Sequence, residues 1–185
     1  MSGHILAIDT STSRCSAAFG GRSAGIEAPT GHAEHLAGLI RQVVDDVSQI
    51  AAIVVGVGPG PYTGLRVGVV TALTMAKALD VPVTGVCSLD GLGRRVGDGV
   101  VVTDARRREV FAALYAQGRR VDGPAVLSPS QVQLRWPGQQ VVGPGATRYP
   151  ELGTAEPIDA ADLLEVPAEL PVRPWYLRDP DAKPQ

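Results

Sequence analysis

Aromatic residues, excess charge and long apolar runs are all scarce in this 185-residue sequence. Phe, Trp and Tyr make up 4% of the chain, so a buried core has to be built from Val, Leu, Ile and Ala. The net charge of -2 provides no general attraction to nucleic acid. No stretch approaches the roughly 20 apolar residues of a membrane span, and the N-terminus lacks the basic and apolar regions of a secretory signal. These absences predict a cytoplasmic protein with no membrane contact.

Cysteine and histidine are too few and too dispersed to predict a metal site. Cys15 and Cys87 lie in apolar surroundings, which is typical of buried thiols rather than of a disulfide. His32 and His35 are three residues apart with Glu34 between them, whereas the helix of zinc proteases has two histidines four apart and a glutamate beside the first. We expect surface or interface histidines and no bound metal.

A stretch rich in glycine and proline, residues 56–68, joins two apolar segments of different character. The preceding run, 50–57, is β-branched and predicts a strand covered on both faces. The following run, 65–79, is amphipathic and predicts a helix, with Pro61 setting φ for its first turn. The glycines therefore lie where a strand passes into a helix, a place where backbones contact phosphates or other backbones.

The glycines of this stretch do not match a nucleotide-binding motif. Gly58 and Gly60, expected to adopt positive φ, form G-x-G-x-x-x-G with Gly64, which misses the dinucleotide fingerprint by one residue. The Gly-Lys-Ser/Thr of a P-loop is missing too. The pattern favours a rigid turn that packs against another backbone.

The helix predicted after this turn carries two stripes. One is an ordinary core face made by Leu65, Val69, Leu73 and Ala76. The other recurs every four residues with almost no side chain and consists of Gly64, Gly68, Ala72 and Ala76. Small residues in a row let a second helix approach closely. Two interpretations stay open, an internal contact with the helix predicted from His32 and a contact with another molecule.

The order of the predicted elements suggests a duplication. Residues 1–97 are predicted to contain five strands and three helices. The strands are at 5–10, 15–19, 23–28, 50–57 and 81–86, and the helices are at 32–47, after the strand at 50–57, and at 88–95. A Gly-Asp-Gly boundary follows, and residues 98–185 open again with strands at 100–104 and 109–115. Shorter elements are predicted at 128–131, 140–142 and 160–164, before a proline-rich end in which only residues 175–177 are expected to dock.

One sequence offset aligns the two halves. It places Asp9 on Asp104, and with it Cys15 on Val110, Ala17 on Ala112, Ala18 on Ala113 and Phe19 on Leu114. We therefore predict an α/β fold of two lobes, each a β-β-β-α-β-α unit, with a reduced second lobe. The turns after the first strand of each unit would face each other across a cleft.

Those two acidic turns invite comparison with ATP sites. In the actin-like, sugar-kinase and heat-shock-chaperone (ASKHA) folds each lobe opens with Asp-x-Gly-Thr, whose backbone amides grip phosphate while the Asp addresses Mg²⁺. The second turn here, Asp104-Ala105-Arg106-Arg107, has neither glycine nor hydroxyl, so we expect no hydrolysis. Weak nucleotide contact stays open for the first turn, through Asp9, Thr10, Ser11 and Thr12. The arginines at 106–108 favour a solvated hairpin tip over a phosphate site.

Five blocks of the sequence resemble the TsaB family, also called YeaZ. They are ILAIDTS at 5–11, HAEHL at 32–36, GPGPYTGLRVG at 58–68, TDAR at 103–106 with EVF at 109–111, and YLR at 176–178. The third block is the most specific, although Pro61 and Tyr62 stand where the family has Ser or a similar residue and Phe. The second half also looks shortened near residues 153–171. The resemblance implies the two-lobed ASKHA fold.

The resemblance further implies a non-catalytic scaffold subunit in the bacterial formation of threonylcarbamoyladenosine next to the tRNA anticodon. Its partners would be a TsaD-type catalytic subunit and a TsaE-type ATPase, with tRNA reached through the complex and a homodimer when alone. No cofactor would be required by this chain, since ATP and Mg²⁺ would be used through the partner subunits. A small ATP-binding kinase or ATPase and a glycoprotease-type metalloprotease are the alternative functions; the degraded second turn disfavours the first and the missing metal ligands disfavour the second.

The implied partner contact uses the two long helices of the first lobe. No residue is assigned a catalytic role. The positions carried over to this contact are His32, His35, Leu36, Leu39, Thr63, Gly64, Arg66, Val67, Gly68, Ala72 and Ala76.

Overall fold

A computed structural model describes residues 3–167 and 170–178, and its first half is a five-stranded sheet with helices. The elements are β1 (His4–Asp9), β2 (Arg14–Phe19), β3 (Arg22–Glu27), α1 (His32–Val43), β4 (Ile50–Gly56), α2 (Tyr62–Leu79), β5 (Val83–Val86) and α3 (Ser88–Val96). The strand order is β3-β2-β1-β4-β5. An antiparallel meander thus continues into parallel strands, as the apolar runs predict.

The second half repeats this arrangement with shorter elements. It contains β6 (Gly99–Arg106), β7 (Glu109–Ala116), β8 (Arg119–Leu127), α4 (Pro129–Arg135), β9 (Val141–Val142) and α5 (Gly145–Arg148). Its strand order is β8-β7-β6-β9, which matches β3-β2-β1-β4. The duplicated β-β-β-α-β-α unit is confirmed. The reduction falls mainly on α4, β9 and α5, that is, before residues 153–171.

The register of the two hairpins corrects the predicted alignment. Asp9 pairs with Ser16 across β1 and β2, and Asp104 pairs with Val110 across β6 and β7. Val110 is therefore the counterpart of Ser16, and its alignment with Cys15 is wrong by one residue. The cause is a second hairpin turn that is one residue shorter than the first.

Helix α1 follows the predicted period but ends earlier than expected. Its apolar positions Leu36, Leu39, Ile40 and Val43 are buried against β2 and the rest of the first core. Val44 has extended backbone, and the Asp46 side chain accepts a bond from Ser48 N to cap a 3₁₀ turn, Val47–Gln49. The prediction of a helix through Val47 is wrong because this local cap starts a new turn.

The chain after the second sheet returns to the first sheet. A 3₁₀ helix, Ala160–Glu165, places Ala160 N 2.9 Å from Ser16 Oγ, and Arg14 donates two bonds to Asp159 Oδ2 at 3.0 and 2.9 Å. Trp175 N donates to Val57 O at 2.8 Å, and its ring packs against both the first core and the core between the sheets, so its predicted docking is confirmed. The predicted fraying concerns residues 179–185, which lie outside the described residues.

Because Asp159, Ala160, Leu170 and Trp175 contact the first sheet or the loop that follows it, the division into 1–97 and 98–185 stays a prediction. Across the described ranges, no helix combines the length and apolar character needed to cross a bilayer.

Candidate functional site

The loop between β4 and α2 holds its glycines for two different reasons. Gly58 has φ +118°, a conformation that side chains rarely adopt, so its predicted positive φ is confirmed. Gly60 does not have positive φ, and that prediction is wrong. A Cβ on Gly60 would lie 2.2 Å from Ser11 O, so glycine is needed there for close approach of two backbones.

The small-residue stripe of α2 packs on the turn between β1 and β2. Thr10 Oγ1 donates to Gly64 O at 2.8 Å. A Cβ on Gly64 would lie 2.5 Å from Thr10 O, and one on Gly68 would lie 2.4 Å from Thr10 Oγ1. The contact of Gly64 and Gly68 is therefore internal and is made with this turn, while Ala72 and Ala76 lie in the first core, to which α1 also contributes.

Seven of the eleven positions predicted for partner contact are buried within the chain. The α2 stripe is filled by Thr10 and the first core, and α1 turns its predicted positions inward; His32 Nε2 lies 2.8 Å from Thr12 O. The seven are His32, Leu36, Leu39, Gly64, Gly68, Ala72 and Ala76, and partner contact through them stays a prediction that this burial disfavours. The four that reach the surface, for which partner contact stays a prediction, are His35, Thr63, Arg66 and Val67.

A second stripe of α2 faces outward and was missed as a surface. We call Tyr62, Arg66, Val70 and Leu73 the outer stripe. Val70 is 57% exposed and Leu73 is 41% exposed, so the assignment of Leu73 to the core face is wrong. The spacing i, i+4, i+8 and i+11 is itself a helical signal that could have identified this face.

The Asp9 carboxyl is fully buried beneath the β1–β2 turn. Its Oδ1 accepts bonds from Ser11 N at 2.9 Å and Ser11 Oγ at 2.7 Å. Its Oδ2 has no partner among the described residues, and a Cβ on Gly56 would lie 1.9 Å from it. Burial raises the pKa of Asp9, while the bonds from Ser11 and the nearby Ser88 hydroxyl oppose the rise. The carboxyl therefore faces β4 and α3, not Asp104 across the cleft as predicted.

The same burial extends to all four residues predicted to contact a nucleotide. Asp9, Thr10 and Ser11 have almost no exposed area, and Thr12 has little. Their polar groups bond to the turn itself, to Gly64 O and to His32. Nucleotide contact through Asp9, Thr10, Ser11 and Thr12 stays a prediction, and the packing of α2 on this turn disfavours it.

Replacing Asp9 with asparagine is expected to stabilise the protein at neutral pH. A carboxyl whose folded pKa is raised contributes less stability as pH increases from its unfolded value, about 3.9, through the folded value. Asparagine keeps an acceptor for Ser11 and carries no charge. Urea unfolding from pH 4 to 8 should show the advantage of Asp9→Asn growing with pH; a constant difference would contradict the buried charge.

A cleft lies between the start of α2 and the β6–β7 turn. One cavity of about 240 Å³ is lined by Pro61, Tyr62, Asp104, Arg106 and Tyr176, with Gly60, Ala105, Phe111, Leu177 and Arg178 completing its wall. A second cavity of about 210 Å³ shares Pro61, Asp104 and Arg106 and adds Thr12, Ser13, Pro29, Thr103 and Pro144. Asp104 therefore borders the cleft, although Asp9 does not.

Metal ligands are not assembled around this cleft. The His32 Nε2 lies 2.8 Å from Thr12 O, so this ring nitrogen is already engaged within the chain. Within residues 3–167 and 170–178, His, Cys, Asp and Glu form no group of three that could hold a metal ion.

Known proteins are similar to this chain in sequence and in fold. A protein-family model described as TsaD, tRNA N6-adenosine threonylcarbamoyltransferase, matches residues 5–159. The tRNA threonylcarbamoyladenosine biosynthesis protein TsaB of Escherichia coli is 33% identical over 172 residues, covering 80% of this chain and 74% of that protein. The chain belongs to the TsaB (YeaZ) family.

The chain is also similar to two further proteins. An uncharacterised protein of Mycobacterium leprae is 41% identical over 204 residues, which cover 97% of this chain; the chain spans 56% of the length of that relative. The solved structure of YeaZ from Pseudomonas aeruginosa superposes with a TM-score of 0.70 at 32% identity, over 88% of this chain and 89% of that one. The predicted α/β ASKHA fold is confirmed.

Proposed function

We propose that this chain is a non-catalytic subunit that binds a TsaD-type threonylcarbamoyltransferase and supports the formation of threonylcarbamoyladenosine in tRNA. A TsaE-type ATPase completes the assembly, and tRNA is modified by the complex in the cytoplasm. This chain requires no cofactor of its own, since ATP and Mg²⁺ act through the partner subunits. Membership of the TsaB family and the geometry of the β1–β2 turn support the proposal.

The observation that carries the proposal is the contact of α2 with the β1–β2 turn. In nucleotide-binding proteins of this fold, backbone amides of such a turn hold phosphate. Gly60 lies against Ser11 and Gly64 lies against Thr10, so helix backbone stands where phosphate would enter. This arrangement disfavours a kinase or ATPase. A metalloprotease is disfavoured because His, Cys, Asp and Glu form no group of three metal ligands within the described residues.

The outer stripe of α2 is the best candidate for the partner surface. Tyrosine and arginine are enriched among the residues that carry most of the energy of protein interfaces, and exposed apolar patches mark interaction sites. Tyr62 and Arg66 lie on one helix face with the exposed aliphatic side chains of Val70 and Leu73, and Thr63 and Val67 lie beside them. We infer that a helix face of the TsaD-type subunit packs here, and that self-association of the isolated chain uses the same stripe.

Charges placed on the outer stripe should abolish partner binding. We expect the double variant Val70→Asp, Leu73→Asp to weaken the affinity for the TsaD-type subunit at least about 30-fold, because each carboxylate would be buried without a partner. Co-elution of the two purified subunits and titration calorimetry measure the loss. Thermal unfolding should be unchanged, since both side chains are exposed.

A matched control is available on the second lobe. Leu134 on α4 is 80% exposed, and Leu134→Asp makes the same chemical change away from the stripe. It should leave co-elution intact. Equal retention of the partner by the control and the double variant would exclude the outer stripe as the interface.

A further inference from the structure

The β6–β7 turn presents arginines in an unusual backbone conformation. Arg106, Arg107 and Arg108 are exposed and have φ values of 63°, 51° and 63°. Left-handed backbone costs a residue with a Cβ roughly 1–2 kcal/mol, and asparagine or glycine occupies it more easily. Arg106 lines both cavities of the cleft and pairs with Asp104 at 3.6 Å, and Arg107 and Arg108 follow it on the same exposed turn. These arginines thus stand on backbone that does not favour arginine, which directs attention to their charge.

An aromatic pair forms the opposite wall of the same cavity. The rings of Tyr62 and Tyr176 stack with centroids 4.7 Å apart and an angle of 23° between their planes. The Arg66 guanidinium lies 5.3 Å from the centre of the Tyr62 ring. Arg178 bonds Ala105 O and Glu109, which fixes the segment that carries Tyr176. Stacked tyrosines beside arginines are typical of surfaces that hold unpaired bases.

The neighbouring cavity contains a polar group that lacks a partner. Thr103 is 2% exposed, and its Oγ1 makes no hydrogen bond within the described part of the chain. A buried hydroxyl without a partner costs free energy, which a polar atom of a bound molecule can recover. Thr103 lines the cavity together with Asp104 and Arg106, so the floor and the mouth of the cleft both offer polar contacts.

We propose that the cleft mouth binds an unpaired RNA nucleotide, with its base on the Tyr62–Tyr176 stack and its phosphates on Arg106 and Arg108. The two cavities, about 240 and 210 Å³, are each smaller than the roughly 300–1,000 Å³ of pockets for larger ligands and suit a single base or ribose. An acidic peptide would satisfy the arginines but leave the stacked rings unused. That the RNA is tRNA rests on the proposed function.

Fluorescence polarisation of labelled hexauridylate RNA tests this site on the full chain. We expect saturable binding at 50 mM salt, and about ten-fold weaker binding by the variant Arg106→Asn, Arg108→Asn, since asparagine tolerates left-handed backbone. Two lost phosphate contacts should reduce the slope of log affinity against log salt by about 1.4. Tyr176→Ala should also weaken binding about ten-fold, and Tyr176→Phe should retain it. Arg119→Gln, at the start of β8 and at the opposite end of the hairpin from the β6–β7 turn, is the control for loss of a surface arginine charge away from the site.

Three outcomes would overturn the proposal. They are no binding by the wild-type chain, equal affinity of the asparagine variant and the control, and displacement of the RNA by polyglutamate as effectively as by unlabelled RNA. Loss of RNA binding can be distinguished from loss of binding to the TsaD-type subunit. The asparagine variant should still bind the TsaD-type subunit, and Val70→Asp, Leu73→Asp should still bind RNA.

Discussion

Replacing Gly64 with alanine should destabilise the protein by about 2–3 kcal/mol. The new Cβ would lie 2.5 Å from Thr10 O, a backbone atom held in the core of the first sheet. Relief requires α2 to move away, which also lengthens the bond from Thr10 Oγ1 to Gly64 O. The gain of helix propensity from glycine to alanine, about 1 kcal/mol, offsets only part of this cost. Urea denaturation measures the net change.

Gly38 provides a matched control for this experiment. It lies inside α1, and a Cβ added there meets nothing within 4 Å. Gly38→Ala should therefore stabilise the protein by about 0.5–1 kcal/mol through helix propensity alone. If both alanines stabilised the chain, close packing of α2 on the β1–β2 turn would be excluded.

Removal of the Asp159 carboxylate should lower the free energy of unfolding by about 2–4 kcal/mol, an effect comparable to that of Gly64→Ala. Asp159 accepts two bonds from Arg14, and the two side chains are only 20% and 25% exposed. Asp159 also caps the Ala160–Glu165 helix by accepting a bond from Ala161 N at 3.1 Å. Asp159→Ala thus removes a half-buried ion pair and a helix cap together. Thermal and urea unfolding report the loss.

An exposed ion pair of the same type gives the comparison. Arg22 and Asp45 approach to 2.6 Å, but their side chains are 49% and 82% exposed. Asp45→Ala should cost at most about 1 kcal/mol, because water screens the pair. A double-mutant cycle with Arg14→Ala separates the ion pair from the cap. Equal costs for Asp159→Ala and Asp45→Ala would show that the return of the chain to β2 adds little stability.

Patterns within short windows predicted most of the fold. The period of 3.6 located α1 and α2, and the β-branched run at 50–57 located β4. Both hairpins were recognisable because alternation and turn residues are local signals. The early end of α1 was not predicted, since it depends on Asp46 capping a new turn.

The candidate site was predicted only in part, because its contacts join distant residues. The sequence shows that Gly64 and Gly68 are small, but nothing in it shows that Thr10, 54 residues before Gly64, fills the space beside them. The bond from Arg14 to Asp159 spans 145 residues and leaves no local pattern. Burial of the β1–β2 turn, which disfavours the predicted nucleotide contact, follows from such pairings.

The exposed position of the outer stripe could have been predicted from the sequence. At 100° per residue, Leu73 lies about 80° around the helix from Leu65 and only about 20° from Arg66. Its assignment to the core followed from its apolar character rather than from its angle. In a helix that carries two stripes, the burial of a residue is predicted from its angle around the helix axis and not from its apolar character alone.

The return of the C-terminal segment also protects the first sheet from unwanted association. β5 is an edge strand, and Leu170 forms an antiparallel bridge with Gly85 on it. Exposed strand edges pair readily with other chains. During synthesis this edge emerges more than 80 residues before Leu170, so a nascent chain exposes it until Leu170 has also emerged. The first sheet therefore gains the cover for this edge only after the whole second sheet has been synthesised.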